Sequence, residues 1–195
     1  VATNGTTALE AWHGLDLPPQ MQLPRAAALA VARCPKKLVG LGYSGSSCTF
    51  WFDDGSFIKS QLYNEHYPSV EKVLTSPCGY ETISPEFFKA VKAVNSVGDT
   101  GKIAFDEEGV KSAFDGHDFS SYKFEGSPSG LSFQTKLLIQ VEDFFERAYF
   151  DKEQARVYFS KENVRGVLMG LGDDPKIPKH EDSNMPQHHG HFDEY

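Results

Sequence analysis

The residues best equipped for chemistry lie close to the end of the chain. His180, His188, His189 and His191, with Glu181, Asp182, Asp193 and Glu194 around them, offer the imidazole and carboxylate donors that hold zinc or nickel. A working metal centre needs those donors fixed in one geometry, with hydrogen bonds supporting each ligand from behind. The segment that carries them, DDPKIPKHEDSNMPQHHGHFDEY from Asp173 onward, is polar, punctuated by proline and without apolar periodicity. It reads as a flexible polar tail, residues 173–195, so neither a metal site nor a cofactor is expected, only adventitious Ni or Zn binding.

Other combinations are poorer. The run GLGYSGSS (Gly40–Ser47) is glycine-rich but lacks the Lys-Ser/Thr ending of a phosphate-cradling loop, and it sits between strand-like runs, so a hairpin turn is expected. Cys34, Cys48 and Cys78 are odd in number and lack the close pairing of a zinc site; they read as small buried hydrophobes in a reducing compartment. No Ser/His/Asp series or paired-carboxylate motif stands out, and no catalytic residue is assigned. No apolar run approaches the roughly 18 residues that span a bilayer. A soluble, cytoplasmic, non-enzymatic protein is the expectation.

Charge narrows the choice further. With 195 residues and a formal charge of −8, the chain is no uniformly basic nucleic-acid binder, because phosphate affinity comes mostly from Lys and Arg. An acidic protein can still meet DNA if its few cations share a face. Those that could are Arg25, Arg33, Lys36, Lys37, Lys89, Lys92 and Lys136, all on or beside three helix-like stretches.

The elements that would position them recur. Helix-like stretches begin near residues 24, 85 and 135, each followed by strand, turn and strand, the mark of a repeated supersecondary unit. Pro24 opens an Ala-rich stretch with high helix propensity and a weak apolar stripe. Pro85 follows Ser84, a good N-cap, with Phe87, Phe88, Val91 and Val94 apolar behind it. In the third stretch Leu137, Leu138, Val141, Phe144, Phe145 and Ala148 fall at helical spacing, which predicts one amphipathic helix. Asp54-Gly55, Glu108-Gly109 and Glu162-Asn163 mark hairpin turns. An apolar content of 39%, with 13% aromatic, suffices for one large core or two small ones. The expected class is α+β, antiparallel sheet with helices on one face.

The order of short motifs resembles the bacterial DNA polymerase sliding clamp, the β subunit of DNA polymerase III. The family's "ATDG" strand-turn is echoed by VATNGTTAL at Val1, its "PR" at a helix start by Pro24-Arg25, its hairpin and linker "DG..TSKL..G.FPDY..V" by DDGSFIKSQLYNEHYPSVEKVL, and its last apolar strand "VMPM" by GVLMGL. The series runs from Val1 to about Leu171. The resemblance implies a DNA-clamp fold with sheets outside and helices inside, and a division into residues 1–74, the C-terminal part of the family's middle domain plus a connector, and 75–172, its C-terminal domain. The family's N-terminal part is then expected to be absent from this sequence, leaving a sheet edge near Val1 to Leu9 exposed or covered by a neighbouring chain.

The same resemblance implies a function and its residues. A clamp is a processivity factor that encircles duplex DNA without regard to sequence, as a homodimeric ring when full length, and tethers the polymerase and clamp loader through short hydrophobic peptides. Thr3, Gly5, Pro68, Lys72, Val73, Val167, Leu168, Met169 and Leu171 match positions of its peptide pocket, and the seven cations would face DNA. Thr6, Thr7 and Ala8 replace the family's "HRL", Gly170 its proline and Leu171 a methionine, which implies a different preferred peptide. The alternative is a clamp-like peptide-binding or structural module that does not encircle DNA.

Overall fold

The computed structural model describes residues 1–12, 21–64, 69–97, 101–114 and 117–172. They fall into two units: Trp12–Thr75, and Val1–Ala11 together with the chain from Ser76 onward. The first strands, β1 (Ala2–Thr3) and β2 (Thr7–Ala11), form a hairpin. The resemblance groups this hairpin with residues 12–74, whereas its hydrogen bonds place it in a sheet of the second unit.

In the unit Trp12–Thr75, helix α1 (Arg25–Arg33) begins after Pro24, whose carbonyl accepts the Ala28 amide at 3.0 Å. It stops at Cys34, held extended because Pro35 follows. Three antiparallel strands come next, β3 (Leu38–Tyr43), β4 (Ser47–Phe52) and β5 (Phe57–Gln61). The run GLGYSGSS supplies most of β3 and its turn into β4. Asp54-Gly55 forms the next turn: the Asp54 carboxylate accepts the Ser56 amide at 3.0 Å and hydroxyl at 2.6 Å, while Gly55 takes φ +84°. Alternation along β4 turns Cys48, Phe50 and Phe52 into a small core with Met21, Leu23, Val31, Leu41, Ile58 and Leu62. The single helical turn α2 (Glu71–Leu74) closes the unit.

The second unit contains β6 (Glu81–Thr82), α3 (Glu86–Val97), β7 (Lys102–Phe105), β8 (Gly109–Phe114), β9 (His117–Lys123), β10 (Ser132–Gln134) and α4 (Thr135–Gln140). A 3-10 turn (Glu142–Phe144) leads to β11 (Arg147–Asp151), β12 (Arg156–Lys161) and β13 (Val164–Met169). One antiparallel sheet has the order β1-β2-β13-β12-β11-β6, the other β10-β7-β8-β9. The core joins Phe87, Phe88, Val91 and Val94 of α3 and Leu138 of α4 to Ile103, Phe105, Val110 and Phe133 of one sheet and Val157, Phe159 and Leu168 of the other. Ser84 caps α3 as its position predicts, its hydroxyl accepting the Glu86 amide at 3.2 Å.

The third helix is a correction. Its apolar stripe predicts one helix through Ala148, yet α4 ends at Gln140 and Ala148 lies in β11. Val141, Phe145 and Ala148 still reach the core, by way of the 3-10 turn and a strand. Pairing of Arg147–Asp151 with Arg156–Ser160 supplies backbone bonds that a longer helix would forfeit. Among the described residues no helix is long and apolar enough to cross a membrane.

Candidate functional site

The strands β2, β13, β12 and β11 offer one face to the core and another away from it. Leu168, Val157 and Phe159 turn to the core. Their neighbours Val167 and Tyr158, and Ala8 on β2, take the opposite face by alternation and are buried there. The register lines them up in a row, with Ala8 opposite Val167, Val167 opposite Tyr158, and Tyr158 opposite Tyr149. The two tyrosine rings stack with centroids 6.2 Å apart, and the Arg156 guanidinium lies 4.9 Å from the Tyr158 ring centre. Asp151 holds that arginine, accepting from Nε at 3.3 Å and from the Gln154 amide at 3.1 Å. The Tyr158 hydroxyl is buried with no hydrogen-bond partner among the described residues, and burial pushes its pKa up, so it stays a neutral donor.

The residues assigned to a pocket separate on these grounds. Val167 lies in the apolar row, and Met169, at the end of β13, is 36% exposed. Leu168 turns to the core, as the two-residue period of a strand requires. Thr3 and Gly5 build the β1–β2 turn: the Thr3 hydroxyl donates to the Thr7 carbonyl at 2.9 Å and accepts the Gly5 amide at 3.1 Å, with Gly5 at φ +88°. Leu171 is half-buried and tied at both backbone groups to Ser132, its amide donating to the carbonyl at 2.7 Å and its carbonyl accepting the hydroxyl at 3.0 Å.

Gly170 explains its own departure from the family pattern. A Cβ there would come 2.7 Å from the Ala155 carbonyl oxygen and 2.9 Å from that of Ser132, and the Gly170 amide donates to Ala155 at 2.6 Å. Proline would lose the bond and fill space already taken. In the other unit, α2 exposes Lys72 and Val73 and buries Leu74. Pro68 lies outside the described residues. No motif marks Tyr149, Arg156 or Tyr158; the alternation in RAYFD and RVYFSK is the signal that points to them.

The cations divide by their partners. Arg25 and Arg33, about 80° apart around α1, are both exposed on the side away from Val31. Lys36 pairs with Asp54 at 3.4 Å, Lys89 with Glu86 at 3.1 Å and Lys92 with Glu142 at 2.7 Å. Arg25, Arg33, Lys37 and Lys136 are exposed and have no carboxylate partner among the described residues. Such exposed pairs are worth about 0–1 kcal/mol, so a phosphate can replace the carboxylate at little cost.

Glu86 deserves a separate test because it accepts both the Tyr122 hydroxyl at 2.9 Å and Lys89. The tyrosine bond first, then Lys89, holds its carboxyl below the ordinary value. A depressed carboxylate pKa adds stability that is present above the unfolded value, about 4.3 for Glu, and disappears as pH falls through the folded one. By carbon NMR the Glu86 carboxyl is therefore expected to titrate below about 4.3 and to move upward in Tyr122→Phe. An ordinary midpoint in the parent protein would contradict this.

Among the described residues no group of three or more His, Cys, Asp or Glu side chains is placed to hold a metal; the tail histidines lie outside them. No protein-family model matches the chain, and no curated protein matches it. Solved structures do. The DNA polymerase sliding clamp from Pseudomonas aeruginosa superposes with a TM-score of 0.69 at 15% identity, covering 88% of this chain and 54% of that one. The clamp from Caulobacter crescentus gives 0.66 at 16%, covering 88% and 52%. The Helicobacter pylori beta clamp bound to a DNA ligase peptide gives 0.58 at 15%, covering 77% and 45%. The chain thus spans about half the length of these clamps, and over most of its own length its mixed α+β architecture is the fold of the bacterial DNA polymerase sliding clamp.

Proposed function

We propose that this chain acts as part of a processivity clamp, a non-catalytic ring that surrounds duplex DNA and holds a polymerase on it, working with the cytoplasmic replication machinery. The observation that carries the reading is the clamp fold across 88% of the chain. A clamp breaks no bond; it needs a closed path around DNA and contacts weak enough to slide. Exposed cations on helices suit that task, since phosphate contacts fix no sequence. Lys36, Lys89 and Lys92, already shared with carboxylates, temper the attraction.

Partner capture is assigned to the sheet face that carries Val167 and Met169. A short hydrophobic peptide suits such a surface, where a few apolar anchors supply most of the energy and flanking polar contacts set register. The peptide seen on the Helicobacter pylori clamp supports this choice of partner. The deciding experiment loads the complete ring onto nicked circular DNA and then cuts the circle. Release on linearisation is expected. Retention that ignores DNA topology, with peptide affinity intact, would instead favour a peptide-binding module that does not encircle DNA.

A further inference from the structure

The sheet β3-β4-β5 has a second face that the clamp reading does not use. Ser47, Thr49 and Trp51 of β4 turn away from the small core, and Gln61, Lys59 and Phe57 of β5 stand opposite them in that order. On β3 the opposing positions are Gly42, opposite Thr49, and Gly40, opposite Trp51. Trp51 is 43% exposed and Phe57 63%. These are large rings to leave in water side by side.

The glycines explain how the indole lies. A Cβ on Gly42 would come 2.6 Å from Trp51 Cη2 and 2.7 Å from Cζ3, and one on Gly40 3.5 Å from Cε3. The six-membered ring therefore occupies the space that side chains on β3 would fill, resting along that strand with its outer side toward solvent. Phe57, paired directly with Trp51, extends the aromatic surface onto β5.

Charge on this face is equally distinctive. In a chain of net charge −8, the three strands carry no Asp or Glu, and their one charged residue is Lys59. It is exposed, lacks an ion-pair partner among the described residues, and sits roughly 7 Å along the strand from Phe57. The adjoining turn carries Asp53 and Asp54, both exposed, and Asp54 is engaged by Lys36 and Ser56.

We propose that this face is a platform for single-stranded nucleic acid, with bases stacking on Trp51 and Phe57 while Lys59 meets the phosphate between or beside them. Flat aromatic rings on an open sheet accept any base, because every base has a π-face, and a cation beside them follows the backbone. Duplex DNA cannot use the surface, since its bases are already stacked. A hydrophobic peptide would need recesses to seat its side chains, whereas the Trp51 ring already fills the space over Gly40 and Gly42.

The test uses the full chain and a dT12 oligonucleotide, followed by quenching of tryptophan emission at low salt and by anisotropy of a labelled strand. Binding is expected, with a dT12 affinity about 5- to 150-fold weaker in Phe57→Leu and a salt slope shallower by about 0.7 in Lys59→Gln. Trp51→Phe, which keeps a stacking ring, should retain most of the affinity, and circular dichroism checks that each variant is folded. Absence of dT12 binding would overturn the proposal. So would binding that Phe57→Leu leaves unchanged but Arg33→Ala or Lys136→Ala abolishes, or a surface that takes an apolar peptide while ignoring dT12.

Discussion

Replacing Phe87 by alanine is expected to destabilise the second unit by about 3–5 kcal/mol. Phe87 is buried at the centre of an aromatic cluster: its ring stacks on Phe105 at 5.2 Å and Phe145 at 5.8 Å, meets Phe88 and Phe124 edge-on at 5.1 and 6.0 Å, and lies 5.8 Å from Phe150. These partners come from α3, β7, the segments beside β9 and β11, and β11 itself, so a cavity there has walls on several elements and cannot close by moving one. Urea unfolding followed by near-UV circular dichroism measures the loss. With a slope of about 1–3 kcal/mol per molar urea, the midpoint should fall by at least about 1 M. A loss under about 1 kcal/mol would mean the cluster is not a single packed unit. Phe57→Ala, on an open face, is the contrast and should change stability by no more than about 0.5 kcal/mol.

Removing Arg25, Arg33, Lys37 and Lys136, exposed cations with no carboxylate partner among the described residues, should act on DNA alone. In the variant Arg25→Ala, Arg33→Ala, Lys37→Ala, Lys136→Ala, the dependence of duplex affinity on salt is expected to flatten, with the log–log slope smaller by about 3.6 if every side chain meets a phosphate. All four are exposed, so the fold should survive. The variant at Lys36, Lys89 and Lys92 should flatten the slope by at most about 2.7, and by less where a lysine stays with its carboxylate. Anisotropy titrations of a labelled duplex between 50 and 200 mM salt, roughly the range over which counterion release is strongest, distinguish the two. No change in slope from the first set would contradict a DNA-facing role for these cations.

The sequence and the structure agree where the determinants are local. Asp54-Gly55 makes a turn because the carboxylate and the positive φ are properties of adjacent residues. Ser84 caps α3 for the same reason, and the buried stripe of α3 follows from the period of its apolar residues. Motif order carried the fold class and the clamp resemblance, because a repeated unit leaves its turns and helix starts at recurring intervals even where identity with solved clamps is only 14–18%.

Distant partners decided the rest. The stripe from Leu137 to Ala148 looks helical, yet pairing with β12 converts its end into a strand while keeping the same residues buried. The β1–β2 hairpin joins β13 across 155 residues, fastened by the Arg165–Glu10 ion pair, and no local pattern names that neighbour. Leu168 and Val167 are alike in type; only the register of β13 sends one to the core and the other to the opposite face. Likewise Trp51 and Phe50 are adjacent aromatics, and pairing with β3 and β5 sends Phe50 to the small core and Trp51 to the opposite face, where Gly40 and Gly42 leave room for its ring. Turn chemistry and periodicity were thus present in the order of residues, while the side on which each functional residue stands awaited the strand that pairs beside it.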